Sequence, residues 1–202
     1  MNNNNSYFRS SGYLNNPVIL TESSGSLDLT ELPPFLRTLL VTDGTVTKSL
    51  EAWFWENVNI KAINNFSEVL KNEIPNLEVK QGDKVLHREV LLKGEKSNQI
   101  YAFARSTVSL KHLPDEIGMA LEKGEIGIGE LLREKGIETY RDIFEINYFL
   151  ASRKNDTLFS QWQNKASNTE VLSRSYRIRV NGSPAIIVTE YFPVDIFKLP
   201  NS

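Results

Sequence analysis

Cysteine is absent from the 202 residues. That excludes disulfides, thiolate metal sites and a cysteine nucleophile, and it suits a reducing compartment. Histidine occurs only as His87 and His112, without the short spacing of a metal pair, so neither reads as a metal ligand. A basic excess is missing too. The formal net charge of -2 leaves no electrostatic footprint for nucleic acid, although a buried arginine can still bind an anion against a weak overall field. No apolar run approaches the roughly 18 residues of a membrane span. The polar start from Met1 to Asn5 lacks the charged and apolar regions of a signal peptide. The expectation is a cytoplasmic protein that partners neither membrane nor nucleic acid. No GxxxxGK cradle or GxSxG elbow occurs. Gly124, Gly127 and Gly129 therefore either shape a turn or offer backbone N–H groups at the start of a short helix.

What remains is ordinary globular composition, enough for one core. Residues 1–31 are rich in Asn and Ser and read as a flexible arm, with the domain running over 32–202. Pro33-Pro34 introduces leucines at helical spacing, Thr42-Asp43-Gly44-Thr45 breaks that helix, and its Thr and Asp can cap a second one through Trp53. Trp53, Phe54 and Trp55 read as core rather than as a stacking platform for bases. Period-two alternation marks strands over 85–92 and 99–108, while 139–149 reads as strand or helix, with strand favoured. Pro114 opens a helix that Gly124 closes, and a shorter helix follows over 128–135. Residues 156–169 read as loop or helix. The segments 173–180 and 185–192 form the clearest hairpin, turned at Asn181-Gly182, with Pro184 blocking pairing at the corner. Hairpins separated by helices without a βαβ rhythm give an α+β class: an antiparallel sheet covered by helices on one face.

Three charges fall where this alternation predicts burial. Arg88 shares a face with Leu86, Val90 and Leu92, Glu190 with Ile186, Val188 and Phe192, and Arg105 with Tyr101 and Phe103. A lone buried charge costs several kcal/mol, so each needs a partner. Either Arg88 or Arg105 bridges to Glu190, or these side chains line a cavity for a polar ligand. A guanidinium fork suits a carboxylate and a carboxylate side chain suits a hydroxyl, which together describe a hydroxy acid held end to end.

Thr42 to Thr47, His87 to Leu92, Ala104 to Val108, Ile128 to Leu132, and the hairpin from Arg174 to Phe192 resemble, in order and spacing, the chorismate pyruvate-lyases. The likeness runs from about Leu32 to Phe192. It implies a single domain with a closed internal site, and conversion of chorismate to 4-hydroxybenzoate and pyruvate by a monomer that needs no cofactor and no metal, in a step that serves quinone biosynthesis. It further implies that Arg88 holds the ring carboxylate, that Glu190 meets the ring hydroxyl, and that backbone amides at Val46 and Ile128 contribute. Arg105 also matches a family arginine and becomes a candidate for the enolpyruvyl carboxylate. The competing expectation is a non-catalytic effector-binding domain, since a related fold senses ligands in some transcription regulators. Those carry a helix-turn-helix unit, for which the polar residues before Leu32 are too few.

Overall fold

The computed structural model describes residues 18–21, 25–124, 126–153, 159, 162 and 169–198. A small hairpin, β1 (Val18–Leu20) and β2 (Ser26–Asp28), precedes two helices, α1 (Pro34–Val41) and α2 (Val46–Phe54). The main sheet is built from β3 (Val58–Val69), β4 (Lys84–Gly94) and β5 (Ile100–Ser109), then β6 (Thr139–Leu150), β7 (Glu170–Val180) and β8 (Ser183–Pro193). Helices α3 (Asp115–Lys123) and α4 (Ile128–Glu134) separate the two halves. The six strands run in the order β3-β4-β5-β8-β7-β6, every pair antiparallel. The α+β class with an antiparallel sheet is therefore the observed one. Among the described residues no helix is long and apolar enough to cross a membrane.

Strand register carries the alternation seen in the sequence across the whole sheet. Leu86, Arg88, Val90 and Leu92 of β4 lie opposite Val108, Ser106, Ala104 and Ala102 of β5. Val108, Ser106 and Ala104 in turn lie opposite Ile186, Val188 and Glu190 of β8, and Ile178, Tyr176 and Arg174 of β7 complete the rows. Side chains directly opposite across a ladder share a face, so these residues form one continuous surface. Helices α1 to α4 pack on it, in two groups. Leu36, Leu39 and Leu40 of α1 and Leu50 of α2 join Leu92, Ala102, Leu172 and Phe192 in one core. Ile117 and Leu121 of α3 and Leu131 and Leu132 of α4 join Leu86, Val108, Ile178 and Ile186 in another. The space between these two cores is where a cavity can persist, because each core is filled by its own helices.

The opposite face holds smaller clusters. Leu91, Phe103, Phe149, Val171, Phe159 and Trp162 form one, and Leu77, Val79 and Val85 anchor another. At the last hairpin Asn181 and Gly182 both adopt positive φ, 50° and 81°, as a two-residue turn of matching twist requires.

Several sequence expectations need correction. The segment before Leu32 is not an arm throughout: Ile19 is buried and Leu29 fully so, both in the α1 core, because a leucine just ahead of the helix can fold back under it. Residues 1–17 and 22–24 lie outside the described residues, as does most of 156–169. Thr45 occupies the N-cap of α2 but its side chain makes no capping bond. Trp55 is not core. It ends α2 in a left-handed conformation and is 88% exposed, while Trp53 stacks on Phe35 and Phe54 on Tyr101. Pro184 does not block pairing. It lies opposite Arg179 beside a register shift, which absorbs its missing donor.

If Leu29 belongs to the core, Leu29→Ala lowers the unfolding free energy by about 2–5 kcal/mol, read from urea denaturation. A change within about 0.5 kcal/mol, the surface range, would return this segment to the status of an arm.

Candidate active site

A cavity of about 450 Å³ opens between the two helical groups. That lies within the range of about 300–1,000 Å³ usual for small-molecule sites. Its floor is the sheet: Ile60 of β3, Arg88, Val90 and Leu92 of β4, Ala104 and Ser106 of β5, and Val188 and Glu190 of β8. Its roof is the first turn of α2 with the preceding Gly44-Thr45, and the first turn of α4 with the preceding Gly127. The floor dips because the two β5 residues are small. Bulky side chains at 104 and 106 would fill the space that the helices leave. Gly127 lets the α4 turn approach β3, since a methyl group there would sit 2.5 Å from Ile60 Cδ1.

Arg88 is 3% exposed. Its Nη2 donates to the carbonyl of Ile126 at 2.8 Å, and its Nε is buried without a hydrogen-bond partner. No carboxylate pairs with it among the described residues, and burial pulls its pKa below the usual arginine value. A cation held this way in an apolar wall is stabilised by an incoming anion.

Glu190 sits across the floor, two strands away and one residue pair along. Two strand spacings put roughly 10 Å between the two backbones. Glu190 is buried and does not bridge to Arg88 or Arg105. Its Oε2 accepts from Arg174 Nε at 2.8 Å and its Oε1 from the Tyr176 hydroxyl at 3.0 Å. Arg174 is 1% exposed, donates through Nη1 to the Thr42 carbonyl at 3.0 Å, and lies 5.0 Å over the Tyr176 ring. Burial opposes the Arg174 charge, and the neighbouring Glu190 more than restores it, so this guanidinium titrates above its ordinary range. Burial, and then the Glu190 charge, push the Tyr176 hydroxyl up as well, so it stays protonated as a donor. Each carboxylate oxygen keeps a second lone pair, so Glu190 can still accept from a ligand hydroxyl.

Of the residues marked in the sequence, Arg88, Glu190, Val46 and Ile128 line this one cavity. Val46 and Ile128 each begin a helix, where backbone N–H groups lack intrahelical partners. Arg105 does not join them. It lies opposite Glu89 in the ladder, on the other face of the sheet, and donates to Glu89 Oε1 at 2.7 Å. Its odd position in β5 puts it with Phe103, whereas the floor takes the even ones, Ala104 and Ser106. The histidines also lie outside the cavity: His87 contacts Glu68 and Thr107, and His112 the Pro184 carbonyl.

Arg174, Tyr176 and Arg141 are site residues that sequence reasoning missed. A signal for Arg174 exists, because Leu172, Arg174, Tyr176, Ile178 and Val180 alternate and Arg174 is their one charge. Arg141 offers no such signal, since an irregularity between Ile143 and Glu145 breaks the alternation of β6.

Comparison with known proteins bears on this geometry. Residues 40–199 match the family described as chorismate pyruvate-lyase, Rv2949c-like. The chain belongs to that family. Relatives include a chorismate pyruvate-lyase of Mycobacterium leprae, 31% identical over 85% of this chain and 80% of the relative, and one of Mycobacterium tuberculosis, 26% identical over 81% of each. Among solved structures, PhnF from Mycobacterium smegmatis superposes with a TM-score of 0.59 at 14% identity, covering 77% of this chain and 66% of that one. The ligand-binding domain of a GntR-family regulator from Bordetella bronchiseptica does so with 0.54 at 12%, covering 72% and 91%. At such identities the likeness is one of fold. Family membership supports a lyase that acts on a small molecule.

The Arg174–Glu190 pair yields a stability test. Arg174→Met strands the Glu190 charge in the core and costs about 3–5 kcal/mol, whereas adding Glu190→Gln recovers much of that loss. Additive costs in thermal or urea unfolding would show that the two side chains are not coupled.

Proposed function

We propose that the protein eliminates pyruvate from chorismate and releases 4-hydroxybenzoate. The observation that carries this reading is the pairing of Arg88, a buried cation with no carboxylate of its own, with Glu190, an acceptor across a floor of small residues. A ring with a carboxylate at one end and a hydroxyl at the other spans those two poles. Membership of the lyase family and the chorismate pyruvate-lyase relatives support the choice of substrate.

The chemistry asks little of the protein beyond placement. The hydrogen on the hydroxyl-bearing ring carbon, C4, moves to the methylene of the enolpyruvyl group. The neighbouring C3–O bond breaks, and its electrons become the carbonyl of pyruvate. The ring gains its third double bond and becomes aromatic, so atoms and electrons balance without an external donor or acceptor. Six atoms form the cyclic array, which requires the side chain to fold back over the ring. Restricting the substrate to that conformer is the main way the cavity can accelerate the step. Donors fixed around the departing enol oxygen stabilise the charge that builds on it, and the first turns of α2 and α4 face the chamber for that role. Glu190, already satisfied by Arg174 and Tyr176, orients the hydroxyl.

The test is direct. Purified protein mixed with chorismate is expected to produce the ultraviolet absorbance of 4-hydroxybenzoate and one equivalent of pyruvate. Binding of 4-hydroxybenzoate without turnover would favour an effector-binding role instead. Arg88→Ala is expected to weaken 4-hydroxybenzoate binding by about 2–5 kcal/mol, and unchanged inhibition by the product would remove Arg88 from the site. Glu190→Gln is expected to keep most of the rate if the carboxylate only positions substrate. A loss beyond about a hundredfold at unchanged KM would make it a proton carrier.

A further inference from the structure

Chorismate carries two carboxylates, and only one of them has a partner in the arrangement above. The cavity walls contain four cationic residues in all: Lys48, Arg88, Arg133 and Arg141. Lys48 is engaged with Glu51 at 2.8 Å, and Arg133 is exposed on α4. Arg141 differs from both. It reaches from β6, on the far side of the sheet from Arg88, to the place where the first turns of α2 and α4 meet. Its side chain is 13% exposed. Its Nη1 donates to the main-chain carbonyl of Asp43 and lies 3.4 Å from Asp43 Oδ1. The Asp43 side chain is itself 64% exposed, so its charge is well screened by water. Arg141 Nε is buried without a partner. Its Nη2 lies 3.7 Å from where a methyl group on Gly129 would sit, and that same point is 3.5 Å from Thr45 Oγ1. Thr45 is the N-cap of the nine-residue α2 and spends no side-chain bond on capping it, which leaves its hydroxyl available beside the guanidinium.

We infer that Arg141, with Thr45 beside it, is the subsite for the second carboxylate of the ligand, the one on the enolpyruvyl group. This rests on the lyase reading for the identity of the ligand but not for the subsite itself, which requires only a dianion. The guanidinium, the Thr45 hydroxyl and the positive end of α2 converge on one side of the chamber. Arg88 occupies another. An enolpyruvyl carboxylate drawn to Arg141 is held away from the ring carboxylate at Arg88, and that separation fixes the direction of the ether side chain. Arg141 thus takes the role that sequence alone offered to Arg105. It binds the side chain rather than the ring.

The experiment compares a monoanion with a dianion. 4-Hydroxybenzoate carries only the ring carboxylate, whereas 3-(carboxymethoxy)-4-hydroxybenzoate adds an ether-linked carboxylate next to the hydroxyl and cannot react. Calorimetric Kd values for both are measured on the wild type, Arg141→Gln and Arg141→Lys. Arg141→Gln is expected to weaken the dianion about tenfold or more while leaving 4-hydroxybenzoate within about twofold, and to raise KM for chorismate in parallel with the dianion. Arg141→Lys keeps the charge without the fork, so a smaller loss in the same direction is expected, and it carries the test if Arg141→Gln fails to fold. Equal weakening of both ligands would mean that Arg141 acts only by tethering the Asp43 turn, and an unchanged dianion affinity would remove it from binding. Either result overturns the inference. If the wild type binds both compounds but leaves chorismate intact, the lyase reading fails while the two Kd values still decide the role of Arg141.

Discussion

Arg174 and Glu190 neutralise one another inside the covered face of the sheet, and that pairing determines what Arg88 is left to do. Were Glu190 unpaired, Arg88 on the facing wall would be drawn toward it, and the two would close the chamber from opposite sides. Arg174 forestalls this from the adjacent strand. It lies directly opposite Glu190 in the ladder, where a bond of 2.8 Å is available. Arg88 is separated from Glu190 by the whole of β5. A buried ion pair contributes little net stability compared with apolar packing. Its consequence is organisational: one acid is satisfied locally, one base is not, and the space between them stays open.

That space also depends on how the core is divided. A single continuous core would draw the helices onto the sheet and expel the cavity, because interiors pack to high density. Here α1 with α2 and α3 with α4 build separate cores at the two ends of the same face. The helices can pack fully without meeting over Ala104 and Ser106. The two cores and the cavity share residues at their borders, with Val46 and Leu92 belonging to one core and Tyr176, Ile178 and Val188 to the other.

Much of this was legible from period-two alternation alone. The odd charge on an apolar strand face marked Arg88 and Glu190, which are both buried and both in the cavity wall, and the Asn181-Gly182 turn fixed the hairpin that brings Glu190 beside Arg174. The same rule predicted burial for Arg105, which is instead 35% exposed, and could not say which face of the sheet its strand alternation addressed. Parity within one strand says nothing about parity in its neighbour until register is known, and register moved Arg105 to the other side. Helix packing was less visible. Leu29 reads as one apolar residue in a polar stretch, and only α1 folding over it makes it core. Arg141 was hidden for a further reason: the irregularity in β6 shifts its alternation, so no local pattern separates it from a surface arginine.

The ligand-binding domain of a GntR-family regulator shares this fold, and a scaffold by itself does not dictate chemistry. A cavity between two helical groups on an antiparallel sheet is suited to enclosing a small molecule, whatever follows. What bears on chemistry in this chain is the distribution of charge around the gap. A sensor gains from any set of contacts that changes its shape on binding. An elimination driven by aromatisation gains only from contacts that hold the departing group folded over the ring. One anchor cannot do that, because a ring fixed at a single carboxylate leaves its ether free to rotate. Two guanidinium groups on different walls, with a hydroxyl acceptor between them, restrain rotation as well as position. The demand for catalysis over mere binding is thus a demand on the number and spacing of anchors, and on the proposed reading Arg88, Glu190 and Arg141 would answer it from three different strands.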